Sequence, residues 1–350
     1  MDKIIGMGNA LVDVLVLIDS DEVLNDLNLP KGSMQLIDED TLFNIRTKTA
    51  GQKLHRATGG AAANTICALA GLDAEVGFIG KIGTDEFGQF FERTLRKRGI
   101  ETSLLKCDCP SGVASTFVSP CGERTFGTYL GASAKLCADD LSRSMFEGYS
   151  YFYIEGYLLQ DHDLIVRAMQ LAKEAGLQIC LDMASYNVVE AEREFFDMLI
   201  TKYVDIVFAN ESEARAYTGK GPEEALQEIS SKCSIVVIKT GKSGSLVKKG
   251  TEVIRVNPFP VKKVVDTTGA GDSFHGAFLS KLVTLLNELA PVEGLKTSTY
   301  AIDLLQHCGH SDLEKAAIFA SAVAALNTQG IGGRSPLPSL QVVHKLMGLE

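Results

Sequence analysis

Two kinds of apolar pattern alternate in the middle of the chain, and this alternation restricts the fold more than any other feature. Four short apolar runs predict strands, at residues 150–154, 177–182, 204–208 and 234–239. Amphipathic segments predict helices, at residues 163–175, 189–200, 211–217 and 222–231. Strands that alternate with helices form βαβ units with right-handed crossovers. We therefore predict an α/β fold with a central, mainly parallel sheet flanked by helices.

Two other segments do not follow this alternation. Residues 11–45 contain short extended stretches, and residues 108–130 contain Thr, Val, Phe and Tyr in runs broken by Pro120 and Gly122. Such runs are typical of β-hairpins. We predict that both segments contribute to a small β-sheet that acts as a lid on a single domain, residues 1–350, and excludes water from the site below it.

Composition excludes several classes of partner. The formal net charge is −10, so the chain lacks the basic surface that nucleic acids require. The apolar run near the N-terminus is broken by Asp13, and we expect neither a signal peptide nor a membrane span. The eight cysteines form no Cys-x-x-Cys pair, so a reduced, cytoplasmic location is expected.

The segment from Asp266 to Asp272 carries the strongest chemical signal. Small residues, Gly269, Ala270 and Gly271, precede a helix predicted at 272–288, and they leave backbone N–H groups free to bind an anion. Asp272 follows them directly and could accept the proton of an attacking hydroxyl. The alternative is that Asp272 only caps the helix. No Gly-Lys-Ser/Thr follows, so this is not a Walker A loop.

Two further segments offer groups that could bind an acceptor. Paired glycines before Asn64, the second of them Gly60, permit close backbone approach, and the Asn64 amide can both donate and accept. Close helix packing is the alternative for these glycines. Asp13 interrupts an apolar strand, where a carboxylate is costly unless it has partners such as two vicinal hydroxyls. Exposure on an edge strand would explain Asp13 equally well.

Polar residues also follow two of the predicted strands. Asn210 and Glu213 come directly after the strand at 204–208, where an α/β sheet binds ligands. An amide and a carboxylate there suit Mg²⁺ with its retained waters, although Glu is common in any first helical turn. Thr240, Gly241 and Gly244 follow the next strand and could wrap a nucleotide, or could form an ordinary hairpin turn.

Taken in order, these motifs resemble those of the ribokinase/PfkB family of carbohydrate and nucleoside kinases. The resemblance covers nearly the whole chain. It rests on Gly8-Asn9-x-x-x-Asp13, Gly59-Gly60-x-x-x-Asn64, Gly77-Phe-Ile-Gly-Lys-Ile-Gly-Thr-Asp-Glu-Phe-Gly88, Asn210-Glu-Ser-Glu213, Thr240-Gly-x-x-Gly244 and Asp266-Thr-Thr-Gly-Ala-Gly-Asp272.

The resemblance implies an ATP-dependent kinase with a ribokinase-like fold, and it implies a role for each matching residue. Asp272 resembles the base, and Thr268, Gly269, Ala270 and Gly271 resemble the anion hole. Asp13, Gly60 and Asn64 resemble ligands of the acceptor hydroxyls. Asn210 and Glu213 resemble the pair that holds Mg²⁺ and phosphate. Thr240, Gly241 and Gly244 resemble the ATP loop, with Asn327 near the adenine, and Asp266 resembles part of a monovalent-cation site, for K⁺ in particular.

The acceptor is less constrained than the reaction. Two segments, Gly8-Asn9-Ala-Leu-Val-Asp13 and Lys31-Gly-Ser-Met34, resemble the adenosine-kinase-like branch. Thr268, in contrast, stands where adenosine kinases carry Asn. A nucleoside needs an apolar slot for its base, which Leu15, Met34, Phe117 and Phe126 could line.

Three alternatives remain open. The first is a fructokinase-like or ribokinase-like sugar kinase. The second is a sugar-phosphate kinase, with Arg124 on the distal phosphate. The third is a non-catalytic regulator that binds a sugar or a nucleotide. An exposed lid would also offer a surface for a homodimer.

Overall fold

The computed structural model describes residues 2–51, 54–121, 123–261, 263–289, 305–330 and 339–349. The strands within these residues, in chain order, are β1 (Ile4–Met7), β2 (Leu11–Leu17), β3 (Met34–Leu36), β4 (His55–Gly59), β5 (Val76–Gly83), β6 (Glu101–Cys107), β7 (Gly112–Val118), β8 (Arg124–Tyr129), β9 (Tyr151–Glu155), β10 (Gln178–Asp182), β11 (Ile206–Asn210), β12 (Ile235–Lys239), β13 (Ser245–Lys249) and β14 (Glu252–Val256).

The helices of the same residues are α1 (Glu22–Asp26), α2 (Glu39–Lys48), α3 (Ala61–Gly71), α4 (Glu86–Lys97), α5 (His162–Glu174), α6 (Tyr186–Ala191), α7 (Arg193–Lys202), α8 (Glu211–Thr218), α9 (Pro222–Ile229), α10 (Ala270–Leu289), α11 (His310–Asn327) and α12 (Leu340–Leu346). The helix predicted at 189–200 is divided between α6 and α7.

The large sheet has nine strands in the order β14-β13-β12-β11-β10-β9-β1-β5-β6. The strands from β12 to β6 pair in parallel, and the β13–β14 hairpin is added in antiparallel orientation. Every residue of β9 and β10 is buried, as expected for parallel strands covered on both faces. The predicted α/β fold with a mainly parallel central sheet is confirmed.

Helices cover both faces of this sheet and create two apolar layers. On one face, α3, α10 and α11 pack together, with Ile66, Phe278 and Ala316 fully buried. On the other face, α5, α7 and α9 cover the sheet, with Phe196 and Leu226 fully buried. Loops and helix N-termini can converge on a ligand at the carboxyl ends of the parallel strands, where α/β sheets bind ligands.

The small sheet has five strands in the order β3-β8-β7-β2-β4. Four of them lie in the two segments predicted for it, and β4 lies outside them, at residues 55–59. β4 extends directly into α3, so it connects the small sheet to the helix that begins with Ala61. β2 lies between β7 and β4, so Asp13 occupies an inner strand and edge exposure does not explain it.

Two observations bear on the expectations for location. Cys107 and Cys109 are joined by a disulfide, which differs from the expectation of reduced cysteines, while Cys67, Cys121, Cys137, Cys180, Cys233 and Cys308 are free thiols. None of the described helices combines the length and the apolar composition that crossing a membrane requires.

Candidate active site

Four neighbouring strands of the large sheet end in polar side chains. Glu155 ends β9, Asp182 ends β10, Asn210 ends β11 and Lys239 ends β12. Because these strands are parallel neighbours, the four side chains lie along one edge of the sheet. This edge forms the floor of the candidate site.

The N-terminus of α10 meets this floor. Gly269 has a φ of +72°, in the left-handed region that favours glycine, and the helix begins with the next residue. Within the described part of the chain, the N–H groups of Gly271 and Asp272 have no backbone acceptor. These orphan donors and the positive end of the helix dipole form a place where an anion is stabilised.

Asp272 lies in the first turn of α10, close to these donors. Its Oδ2 accepts a hydrogen bond from Asn64 Nδ2 at 3.0 Å. Burial raises the pKa of the Asp272 carboxyl to about 7, and Asp182 adds to the increase while Asn64 opposes it. The carboxylate bonds to a side chain rather than to the backbone of its own helix, so capping does not account for it.

Of the predicted acceptor-binding residues, Asn64 contacts Asp272, while Asp13 and Gly60 line the cavity beneath the small sheet. Asn64 lies on α3, one turn beyond Gly60, and Asp13 on β2 pairs with Ala57 of β4, close to Gly59. Gly60 has a φ of +94°, and a Cβ there would overlap the Asn9 carbonyl oxygen. Close packing therefore accounts for this glycine, whether or not it also contacts a ligand.

Glu155 holds two of these loops together. It is 1% exposed, and it accepts hydrogen bonds from the Asn9 backbone at 2.8 Å, from Asn9 Nδ2 at 2.9 Å and from the Ala62 backbone at 2.7 Å. Burial raises the pKa of Glu155 to about 7, although these three donors oppose the increase. Glu155 therefore positions the turn after β1 and the start of α3 relative to each other.

A cavity of about 1000 Å³ lies beneath the small sheet, and of the four strand-end residues of the floor Glu155 lines it. One face of the small sheet lines it, and we call this the inner face. It carries five polar side chains, namely Asp13, His55, Thr116, Arg124 and Thr128, and seven large apolar ones, namely Leu11, Leu15, Leu17, Met34, Leu36, Val118 and Phe126. Met34 is 67% exposed and Leu36 is 65% exposed, so much of this apolar surface is open to the cavity.

The expectation that Phe117 lines this cavity was wrong. Phe117 is fully buried and pairs in register with Val16, on the opposite face of the small sheet. Side chains alternate between the two faces of a strand, so the neighbours of Phe117, Thr116 and Val118, line the cavity instead. Phe117 is part of the core that lies beneath the sheet.

Arg124 connects the small sheet to the loop before α10. Its Nη1 forms an ion pair with Asp266 Oδ2 at 2.7 Å, and it lies 3.4 Å from Thr268 Oγ1. The other oxygen of Asp266 accepts from the Thr268 backbone and hydroxyl, at 3.1 and 2.8 Å. A guanidinium therefore stands where a cation bound to this carboxylate would lie, and the Asp266 side chain does not fit the predicted monovalent-cation role.

Asn210 and Glu213 form a reciprocal capping box at the start of α8. Glu213 Oε2 accepts from the Asn210 backbone at 2.7 Å, and Asn210 Oδ1 accepts from the Glu213 backbone at 2.9 Å. Burial raises the pKa of Glu213 to about 7. The described residues contain no group of three or more His, Cys, Asp or Glu that could enclose a metal ion. A carboxylate and an amide at the end of a strand are oxygen-bearing groups of the kind that can hold Mg²⁺ through its waters.

The predicted ATP-loop residues lie at one end of this edge, and Asn327 does not face it. The loop from Thr240 to Gly244 joins β12 to β13, with the Thr240 N–H donating to the Gly244 carbonyl at 2.8 Å. Asn327 is 1% exposed, and its Nδ2 donates to the Thr268 carbonyl at 3.1 Å. The expectation that Asn327 contacts adenine was therefore wrong, because its side chain supports the loop before α10.

Several site residues escaped the sequence analysis. Glu155, Asp182 and Lys239 each end a fully apolar run, and that position was a usable signal because the carboxyl ends of parallel strands form binding sites. His275 gave no such signal. It lies inside α10, one turn after Asp272, and is 1% exposed.

The Asp272 carboxylate is partly exposed and has a pKa near 7, and it lies beside the unpaired N–H groups of a helix N-terminus. Such a group can deprotonate a hydroxyl next to a bound phosphate, which is the chemistry of a small-molecule kinase. The sequence profile of the pfkB family carbohydrate kinases matches residues 28–340 of the chain.

Known proteins agree with this class. Adenosine kinase 2 of Arabidopsis thaliana is 25% identical over 337 residues, covering 89% of this chain and 96% of its own length. Fructokinase-1 of Zea mays is 29% identical over 311 residues, covering 83% of this chain and 89% of its own length. The crystal structure of adenosine kinase from Sinorhizobium meliloti superposes with a TM-score of 0.78 at 27% identity, covering 100% of this chain and 99% of that one.

The chain belongs to the pfkB family of carbohydrate kinases. It is an ATP-dependent phosphotransferase that acts on a hydroxyl group of a sugar or a nucleoside, and its fold is ribokinase-like.

Proposed function

We propose that the acceptor is a nucleoside, adenosine first, and that Asp272 is the base for phosphorylation of its 5′ hydroxyl. Asp272 takes the proton of the hydroxyl, the hydroxyl oxygen bonds to the γ-phosphorus of ATP, and the bond to the β-phosphate oxygen breaks to release ADP. The orphan N–H groups of Gly271 and Asp272 stabilise the charge on the transferred group.

One observation carries the choice of a nucleoside: an extended apolar inner face lies opposite a polar floor. Asp13 supplies a carboxylate and Asn64 supplies an amide for the ribose hydroxyls. Asn64 lies next to the catalytic base, Asp272. Met34, Leu15 and Phe126 then offer a surface for a flat, apolar ring, which a free sugar does not have. The small sheet acts as the lid of the site in this account.

The sugar-phosphate alternative has less support. Arg124 is the lid residue that would bind a distal phosphate, and its guanidinium is already paired with Asp266 at 2.7 Å. A phosphorylated acceptor would have to compete with that carboxylate. A neutral acceptor leaves the pair intact.

The ATP side of the site rests on the other end of the floor. We propose that Thr240, Gly241 and Gly244 contact ATP and that Asn210 and Glu213 hold Mg²⁺ through water. When bound, Mg²⁺ neutralises charge on the phosphates. We derive no role for K⁺, because Arg124 occupies the place beside Asp266.

We also propose a cytoplasmic location, which the six free cysteines support and the Cys107–Cys109 disulfide opposes. The small sheet has two open edges, β3 and β4, and these support the expectation of a homodimer. Sedimentation equilibrium of the purified chain tests the dimer, and a single monomeric species would rule it out.

A screen of acceptors tests the proposed substrate. ADP release from ATP is measured with adenosine, inosine, ribose, fructose and fructose 6-phosphate at equal concentrations. We expect adenosine to give the highest kcat/KM, with adenosine 5′-phosphate as the product. Efficient turnover of ribose or fructose, with adenosine inert at millimolar concentration, would refute the nucleoside assignment and leave the kinase class intact.

A further inference from the structure

A lysine ammonium lies next to the anion-binding turn, and no step described so far uses it. Lys239 ends β12 and is partly buried, and its Nζ lies 2.5 Å from His275 Nε2. A Cβ placed on Gly271 would lie 3.3 Å from the same Nζ. The ammonium is therefore directly behind the first turn of α10, where Asp272 also lies.

Buried hydrogen bonds fix this ammonium. Burial lowers the pKa of His275 well below its usual value, so the ring is neutral. Because an ammonium only donates, Nε2 accepts from Lys239 and Nδ1 carries the ring proton, which it donates to the Tyr153 hydroxyl at 2.8 Å. The Tyr153 hydroxyl also lies close enough to Asp182 to lower the pKa of that carboxyl. The four groups form a chain from a cation to a carboxylate, and Tyr153, His275 and Asp182 are all buried.

Carboxyl groups surround Lys239 on several elements. The titratable groups that face Lys239 and Asp272 are Tyr153, Glu155 and Tyr157 from β9 and the turn after it, Asp182 from β10, Glu213 from α8 and His275 from α10. Burial is the main cause that raises the pKa of Asp182, Glu213 and Asp272, and in all three Lys239 opposes it.

We propose that Lys239 is a positioning residue for phosphoryl transfer: its ammonium, fixed by the His275–Tyr153–Asp182 chain, keeps Asp272 in its proton-accepting form among neighbouring carboxylates. This proposal rests on Asp272 as the base of the proposed function, but not on the identity of the acceptor. An opposite charge favours the ionised form of a carboxylic acid, and like charges disfavour it. Without Lys239, only the hydrogen bond from Asn64 would oppose the effect of Asp182 and Glu155 on the pKa of Asp272.

The pH dependence of kcat/KM tests this role. In the wild type, Asp272 accepts a proton only when ionised, so activity falls on the acid side with a midpoint near pH 7. In Lys239→Met we expect the midpoint to move by about one pH unit or more to higher pH. Activity should then return to within a few-fold of the wild type at pH 9. Lys239→Arg keeps the charge and should retain the wild-type midpoint.

Two controls separate this role from a structural one. Lys202→Met removes an exposed lysine on α7 and should leave the profile unchanged. In an Asp272→Asn background, Lys239→Met should lower the residual rate by less than about 3-fold, because its effect acts through the missing carboxylate. The proposal would be overturned if Lys239→Met lowered the rate as much in the Asp272→Asn background as in the wild type. It would also be overturned if the pH profile of Lys239→Met kept the wild-type midpoint.

Tyr153→Phe covers the case in which Lys239→Met does not fold. It removes only the hydroxyl that lies between His275 and Asp182. We expect the midpoint of the pH profile to move to higher pH, by less than in Lys239→Met. An unchanged midpoint in Tyr153→Phe would also contradict the proposal. The profiles are measured with whichever acceptor the wild type uses best, so turnover of a sugar in place of adenosine refutes the proposed substrate without affecting this test.

Discussion

The floor and the lid of the cavity differ in the kind of residue they present. The floor is a row of charged or amide side chains that end parallel strands, together with Asp272 at the start of α10. The lid presents mainly apolar side chains on the inner face of the small sheet, with Asp13 and Arg124 among them. Strand ends and helix N-termini fix polar groups in place, whereas a sheet face can change its side chains without altering the backbone. From this difference we propose that the floor carries out the reaction and that the lid selects the acceptor.

The largest effect should come from the floor. Asp272→Asn keeps the size of the side chain but cannot accept the proton, so kcat should fall by about 10²- to 10⁴-fold. Steady-state kinetics at saturating substrates measure the loss, and calorimetry with ATP should give a dissociation constant close to that of the wild type. A kcat near the wild-type value would reduce Asp272 to a structural residue.

The next largest effect should come from Asp13, a carboxylate on the inner face of the lid. Asp13→Ala should lower kcat/KM for the acceptor by about 10- to 150-fold, since a hydrogen bond to a charged group contributes about 1.5–3 kcal/mol. The KM for ATP should change little.

The matched control for Asp13 is Asp19→Ala, which removes an exposed carboxylate just beyond β2 and should have no effect. Asn64→Ala should weaken the binding of the acceptor too, but it should also lower kcat because Asn64 donates a hydrogen bond to Asp272. If Asp13→Ala raised the KM for ATP as much as the KM for the acceptor, Asp13 would not belong to the acceptor site.

A pair of phenylalanines on adjacent strands tests the lid most sharply. Phe126 lines the cavity, so Phe126→Ala should raise the KM for adenosine by roughly 3- to 10-fold, through lost contact with the base, and should change stability less. Phe117 faces the core, so Phe117→Ala should lower the free energy of unfolding by about 3–5 kcal/mol and leave the KM for adenosine nearly unchanged. Urea denaturation measures the free energy of unfolding, and steady-state kinetics measure the KM. A raised KM in Phe117→Ala together with a large loss of stability in Phe126→Ala would contradict the account.

The smallest effect should come from Arg124. With a neutral acceptor, Arg124→Ala should change the acceptor KM by less than about 3-fold, because the guanidinium pairs with Asp266 rather than with the substrate. A large increase in KM would indicate that the acceptor carries a phosphate.

The sequence predicted the backbone elements of the floor better than the strands of the lid, for a physical reason, although it did not single out Glu155, Asp182 and Lys239. The apolar runs of β9 to β12 and the glycine-rich turn before α10 are local patterns, so the strands and Asp272 could be placed from them. The face on which Phe117 lies depends on register between β2 and β7, which no local pattern contains. The lid strand β4, with His55 and Arg56 at its start, lacks an apolar alternation and was not assigned.

Tertiary contacts also decided which polar residues reach the cavity. Asn327 ends α11, but contact with the Thr268 carbonyl turns its side chain away from a ligand. Lys239 ends an ordinary apolar strand, and only the packing of α10 against β12 brings His275 and Gly271 to its ammonium.

The division between floor and lid is tested most directly by one crystal structure, of Asp272→Asn with adenosine and a non-hydrolysable ATP analogue bound. We expect the ribose hydroxyls to contact Asp13 and Asn64, and the 5′ hydroxyl to face residue 272. The adenine of the acceptor should lie against Met34 and Phe126 of the inner face. A nucleoside bound with its base on the floor, or with its ribose away from Asp13 and Asn64, would contradict the account.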